Sequence, residues 1–486
     1  MQSFLKQHTK ENLALYFQDK SYTYEWLNQH SQLTANFLHT QEIKTLAFCA
    51  FNSPVNILCY LGAWIAGVHI LPINPRYTAH ELIQLLKEFE PSALVIEDNR
   101  VTHELKESCE HLDIQIVTVD AQNPMEGEFW ELLTNKAKAL KETVIPRLNR
   151  GIHKKLNMDP PVKPQDNNFF CSDNSFLSHN ETYTYHLTSG SAGHTKAVTH
   201  SLAQIIKYAQ NRAEDFGYLT SDKLLVSLSV NHAFAFSSQL LPALVLGLPI
   251  YLQSKFSEAE TLELVIQHKI TSLALLPTMA YQLAQHAETQ KVIGMTEVFG
   301  YAQNTPELNH PKASGKLFKS TRMEIRDEQN QVLPTGKTGH VFIQNEVTPL
   351  AYFKNPELSQ RDLPNGWVKT GDLGYLDKDR NFYFLGRDKH IIIRGGSNIA
   401  PLEVEQTFYQ HPEILEVAVI GKKDAVWGEV IWAYVVLDPQ SRITESQLIE
   451  HCQTYLAEYK LPEKIIFMPE LPKNATGKID RLALKI

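Results

Sequence analysis

The chain has 486 residues, 43% of them hydrophobic and 21% charged, with a formal net charge of -8. That length suits two or three packed units, and the balance is that of an ordinary globular protein. Acidic and basic residues are mixed without a basic tract, which excludes nucleic acid as an expected partner.

The cysteines Cys49, Cys59, Cys109, Cys171 and Cys452 lack CxxC or CxxH spacing, so neither a disulfide framework nor a structural zinc is expected. Reduced thiols in a cytoplasm fit them. The N-terminus, MQSFLKQHTKENLALYF, lacks the apolar core of a signal peptide. The apolar stretches Asn56–Asn74 and Val226–Gln253 are broken by Gly, Pro, Asn and His. They read as buried α/β core rather than membrane spans.

In chain order, Asn56–Ala66 predicts a helix, Gly67 its end, and His69–Ile73 a short strand. Leu82, Leu85, Leu86 and Phe89 recur at helical spacing, and Ala93–Ile96 predicts a buried strand. This alternation favours layered α/β units with largely parallel strands. Pro146–Thr182, rich in Pro, Asn, Ser and Lys, reads as a long surface connection.

Strand and helix patterns resume from Tyr183 to about Thr278. Between Met323 and Phe384 the runs MEIRD, HVFIQ and NFYFLG predict strands of a smaller β-rich subdomain. Beyond Gly386 the pattern predicts a strand at His390–Ile393, a glycine turn, a helix at Pro401–Gln410 and a strand at Glu416–Ile420. The whole reads as an α/β chain. Residues 1–386 read as a large domain and 390–486 as a separate small α+β domain.

The most informative stretch is Tyr185–Val198, YHLTSGSAGHTKAV. Small residues let backbone N–H groups approach an anion, hydroxyls add donors, and Lys196 adds charge. The stretch predicts a phosphate-binding loop that does not fit the GxxxxGK[ST] pattern. It is followed by VIGMTEV (Val292–Val298), VKTGDLG (Val368–Gly374), LGRDKHIIIRGG (Leu385–Gly396) and LPKNATGKIDR (Leu471–Arg481). Singly these are weak signals. Their order and spacing, together with SYTYEWL (Ser21–Leu27) and the segment Gly62–Leu82, resemble the adenylate-forming superfamily over almost the whole chain. The pattern is closest to acyl- and aryl-CoA synthetases.

The resemblance implies roles. Thr188, Ser189, Gly190, Ser191, Gly193 and Lys196 would hold the ATP β- and γ-phosphates. Thr296 would touch phosphate and Glu297 would ligate Mg²⁺ as a hard oxygen donor. Asp372, assisted by Arg387, would accept from the ribose hydroxyls. Lys478 would reach the α-phosphate and carboxylate oxygens, where negative charge develops. Lys389 matches the hinge, 387–389, about which the small domain turns between half-reactions. Gly395 and Gly396 match the turn beside the thiol tunnel, where absent side chains leave room.

The chain departs from the pattern in places. Ala192 stands where threonine is usual and Thr195 where proline is usual. Ile293 replaces an aromatic residue that stacks on adenine, with Tyr301 a candidate to compensate. Between Thr278 and Ile293 about one strand–helix unit, roughly 30 residues, is missing.

Ser229–Gly247 matches the acyl-pocket segment, with His232, Phe234, Ala235 and Phe236 as pocket residues. Ala235 stands where amino-acid-activating relatives place an aspartate, so an ammonium-bearing substrate would lack its counter-charge. A fatty or aromatic acid is expected instead. The expected cosubstrates are Mg²⁺, ATP and CoA, with a separate acyl carrier protein as alternative acceptor. A non-catalytic nucleotide-binding relative is the rival outside enzymology.

Overall fold

The structure, a computed structural model, describes residues 11–133, 181–189, 195–275, 279, 291–304, 313–473 and 479–485. A seven-stranded sheet runs in the order Ala351–Tyr352, Thr195–Ser201, Tyr183–Ser189, His69–Pro72, Thr45–Cys49, Ala93–Glu97, Gln115–Val119. From Tyr183–Ser189 to Gln115–Val119 neighbours pair in parallel, and the pairings at the other end are antiparallel. A five-stranded sheet has the order Ser272–Leu273, Leu224–Val226, Ile250–Leu252, Leu13–Phe17, Lys20–Thr23. It is parallel except for its last hairpin.

The helix between the first two strands of the larger sheet spans Pro54–Ala66. Pro54 presets its first turn, Ser53 and Asn56 form a capping box, and Gly67 ends it at φ 74°. This helix shares one core cluster with strands of both sheets. The Ala79–Phe89 helix buries Leu82, Leu85, Leu86 and Phe89, the stripe expected from their spacing. Each such side chain contributes about 1.5–3 kcal/mol on burial.

Polar groups also join the two sheets. The Asn52 amide donates to Leu228 O (2.8 Å) and Gln253 O (3.1 Å) and accepts from Val230 N (2.9 Å). Asn56 donates to Asn231 Oδ1 at 3.0 Å, and Asn231 donates to Ile73 O at 2.7 Å. These buried amides bond fixed carbonyls and set the path of the chain into His232.

A third, antiparallel sheet has the order Lys291–Met295, Phe299–Asn304, Gly315–Leu317, Asn381–Arg387, Val368–Leu376, Gly339–Gln344, Arg322–Arg326. It contains the strands expected from MEIRD, HVFIQ and NFYFLG. Beyond it, Ile414–Asp424 and Gly428–Leu437 form a long hairpin, flanked by Ile392–Arg394, Ser397–Ile399 and Lys464–Phe467. The buried residues of this C-terminal part form core clusters of their own, from Ile392 onward.

Boundaries shift in this part. The expected strand at His390–Ile393 is Ile392–Arg394, because Asp388–His390 is a tight 3₁₀ turn closed by Ile391 N donating to Asp388 O. The expected Pro401–Gln410 helix ends at Phe408, and Glu416–Ile420 is the middle of an eleven-residue strand. The connection Pro146–Thr182 up to residue 180 lies outside the described residues, as does most of the short interval before Ile293. No helix among the described residues is long and apolar enough to cross a membrane.

Candidate active site

The site forms where the first and third sheets meet. The Tyr183–Ser189 and Thr195–Ser201 strands form a hairpin in which Thr188 faces Lys196 and Ser189 pairs with Thr195. Gly190, Ser191, Ala192 and Gly193, at its tip, lie outside the described residues. Thr188 and Lys196 are thus held on strands, one residue pair from the loop.

Thr296 and Glu297 occupy the turn between Lys291–Met295 and Phe299–Asn304. Tyr208 Oη clamps that hairpin by accepting from Gly300 N at 2.9 Å and donating to Gly300 O at 3.2 Å. His200 Nε2 lies 2.8 Å from Glu297 O, and the Tyr352 hydroxyl donates to Glu297 Oε1 at 3.1 Å. Glu297 is buried. Burial pushes its carboxyl up, offset in part by Tyr352 and by the charges of Arg387 and Lys196.

Asp372 and Arg387 are directly opposite each other on neighbouring strands of the third sheet. Arg387 Nε lies 2.9 Å from Asp372 Oδ1, and Arg387 Nη1 donates to Thr370 O at 2.9 Å. The short ion pair is not aligned as a hydrogen bond, so Oδ1 keeps accepting capacity. Burial raises the Asp372 pKa to about 6 against the opposing pull of Arg387, with Glu297 adding to the rise. Lys389 is lowered by burial and by the charges of Arg387 and Lys196. Arg387 is the common neighbour: it lies 2.9 Å from Asp372, and its charge, with that of Lys196, reaches both Glu297 and Lys389.

Lys196 Nζ lies 3.9 Å from Asp362 Oδ2 and 5.3 Å from the centre of the Tyr352 ring. Neither Tyr352 nor Asp362 was marked by any motif. Tyr352 sits in a two-residue strand paired with Thr195–Ser201, a placement with no periodicity to signal it. His200 escaped notice for a similar reason, reading as one more residue in a strand.

The segment expected to line an acyl pocket is packed differently. Ala235 and Phe236 are fully buried, Phe234 is half-buried, and Phe236 stacks on Tyr60 at 4.7 Å between ring centres. His232 is exposed and accepts from Phe234 N at 3.3 Å, capping a short helix. His186 lies beneath Thr188 on the same strand face, 4.9 Å from Phe236 and 5.2 Å from Phe299 between ring centres. It is 1% exposed and neither ring nitrogen has a hydrogen-bond partner among the described residues.

Tyr301, the candidate to cover adenine, is instead 2% exposed and packed into the core of the third sheet. Ile293 pairs in the backbone with Ala302. Lys478 lies outside the described residues, although Lys473 and Ile479 on either side form an antiparallel bridge. Gly395 and Gly396 turn the Ile392–Arg394 and Ser397–Ile399 hairpin at φ 56° and 82°. A Cβ on Gly395 would lie 2.9 Å from the Trp427 ring, so the turn needs glycine on two counts.

The buried Glu297 carboxylate offers one hard oxygen donor of the kind Mg²⁺ takes, and the Lys196 and Arg387 charges near it suit phosphate oxygens. Comparison with known proteins agrees with this chemistry. The family model described as AMP-binding enzyme matches residues 2–293, and that described as AMP-binding enzyme C-terminal domain matches residues 403–478. The 2-succinylbenzoate–CoA ligase of Bacillus subtilis is 26% identical, covering 99% of this chain and 96% of that protein. A long-chain-fatty-acid–CoA ligase of the same organism is 26% identical over 98% of this chain and 91% of its own. The crystal structure of ATP-bound MatB from Rhodopseudomonas palustris superimposes with a TM-score of 0.84 at 21% identity, covering 100% of this chain and 97% of that one.

Proposed function

Because this chain belongs to the AMP-binding enzyme family, we propose that it is an acid–thiol ligase that activates a carboxylic acid with ATP and transfers the acyl group to CoA. The observation that carries this reading is the convergence of Lys196, Glu297, Asp372 and Arg387, brought from separate strands and a turn, on one another.

Asp372, oriented by Arg387 on the neighbouring strand, accepts from the ribose hydroxyls. Thr188, Ser189 and Lys196, with Gly190, Ser191 and Gly193, hold the β- and γ-phosphates, and Thr296 adds a hydroxyl. Glu297 holds Mg²⁺, which when bound neutralises charge on the triphosphate. A substrate carboxylate oxygen attacks the α-phosphorus and the bond to the β-phosphate oxygen breaks, releasing pyrophosphate. Lys478 stabilises charge on the α-phosphate and carboxylate oxygens during that attack. In the second half-reaction the thiol sulfur bonds to the acyl carbon, AMP leaves, and the thiol proton passes to solvent.

No side chain needs to act as a nucleophile; positioning and charge do the chemistry. Residues 390–486 form the part that turns about 387–389, with Lys389 as the pivot. Gly395 and Gly396 then border the route of the thiol arm. The half-buried Phe234 favours a fatty or aromatic acid, and Ala235 offers no counter-charge for an ammonium group.

The test is pyrophosphate release across a panel of fatty and aromatic acids, with and without CoA, for native protein and Lys478→Ala. Release that needs an acid, and CoA consumption matching it, are expected. Absence of release with every acid overturns the reading. Adenylate formed without CoA consumption points to a carrier protein as acceptor.

A further inference from the structure

The Tyr352 side chain touches two groups that the sequence separates by a hundred residues. Tyr352 pairs with Val198, and Val198 pairs with His186, across two antiparallel ladders. Residues opposite one another in such ladders share a face, and every second residue along a strand returns to it. Lys196 and its partner Thr188 therefore lie on the face that carries Tyr352.

From that face the Tyr352 hydroxyl donates to Glu297 Oε1 at 3.1 Å, while Lys196 Nζ lies 5.3 Å from the ring centre. The residue is 4% exposed, so both interactions are largely screened from water and are stronger for it. Its ring packs with Val198 and Leu358, which fixes the direction of the phenol. One side chain thus touches both the carboxylate and the ammonium group, whose own charged neighbour is Asp362, 3.9 Å from Lys196 Nζ.

We propose that Tyr352 is a positioning residue that aims the Glu297 carboxylate and the Lys196 ammonium at the same ligand, a divalent metal–nucleoside triphosphate. The proposal rests on the reading that Glu297 and Lys196 face that ligand. The two ends of the side chain have separable tasks: the hydroxyl orients the metal-binding carboxylate, and the ring steers the phosphate-binding lysine.

Substitution separates them. Tyr352→Phe keeps the ring and removes the hydroxyl, and Tyr352→Leu removes both. Mn²⁺ binding in the presence of ATP, followed by electron paramagnetic resonance, reads the carboxylate. Binding of a fluorescent ATP analogue in EDTA reads the lysine and requires a folded site.

The Phe variant is expected to bind Mn²⁺ about tenfold more weakly, the loss of one hydrogen bond to a charged group, with metal-free nucleotide binding retained. The Leu variant is expected to lose affinity in both assays. Native-like Mn²⁺ binding by Tyr352→Phe overturns the proposal. So does an equal loss of metal-free nucleotide binding in the Phe and Leu variants. If native protein binds neither ATP nor its analogue, the ligase reading itself fails; native binding with an unshifted Phe variant removes only the role of Tyr352.

Discussion

On the proposed nucleotide side Glu297, Asp372 and Lys196 each meet a partner within the protein, whereas on the proposed acyl side His186 meets none among the described residues. Glu297 has Tyr352, Asp372 has Arg387, and Lys196 has Asp362. His186 lies between Phe236 and Phe299 with both ring nitrogens unpartnered among the described residues. Charge is expensive to bury, so a wall of buried charged groups must build its partners in. A neutral imidazole costs less and can stay unpaired among aromatic rings. Burial, with the neighbouring His200 and His232 adding to the effect, keeps His186 well below the usual histidine range, hence neutral near pH 7.

The largest effect expected on the charged side is that of Lys478→Ala. Adenylation measured by pyrophosphate release should fall about 100- to 1,000-fold, as for loss of one preorganised donor at developing charge. A loss below tenfold would mean that this side does not depend on Lys478. Next comes Glu297→Gln, which keeps the shape and removes the charge. The Mg²⁺ concentration for half-maximal rate should rise about tenfold or more, with the half-saturating acid concentration little changed. Equal effects on both would blur the distinction between the walls.

A smaller, pH-dependent effect belongs to Asp372. Its carboxyl titrates at about 6, so the half-saturating ATP concentration should rise as pH falls through that value and the acceptor is lost. Asp372→Asn should weaken ATP binding and flatten this dependence. The stability contribution runs the other way: the folded pKa lies above the ordinary aspartate value of 3.8, so stability falls as pH rises from 3.8 through about 6.

The smallest effect, and the one that tests the acyl side, is His186→Leu. Removing two unpaired nitrogens in favour of an apolar group should be neutral or stabilising, by about 1 kcal/mol, read as an unchanged or raised thermal midpoint. A loss of several degrees would show that the imidazole is held by contacts the aromatic packing does not explain.

Much of the charged wall was legible in the chain. VKTGDLG and LGRDKH contain Asp372 and Arg387, and VIGMTEV contains Thr296 and Glu297; each run is weak alone, and their order along the chain, resembling a known family, singled the residues out. The helix stripe Leu82, Leu85, Leu86 and Phe89, the stop at Gly67 and the strands of the third sheet were local too. Tyr352, His200 and Asp362 were not legible. A tyrosine in a two-residue strand has no period, and its 3.1 Å contact with Glu297 spans 55 positions. Tyr301 shows the converse: its nearness to the motif suggested a face for adenine, but packing put it in the core of the third sheet.

The sequence by itself determined which chemical groups are available: carboxylates, lysines and a small-residue loop in an order that resembles the adenylate-forming superfamily. It also determined local folding, since capping boxes, glycine stops and apolar spacing act within a few residues. Only the tertiary structure decided which groups face one another. Sheet register sets Asp372 opposite Arg387 and Tyr352 opposite Val198, and desolvation at the junction of two sheets moves Asp372 to about 6. Pairing and burial depend on residues far apart in the chain, so no local pattern contains them.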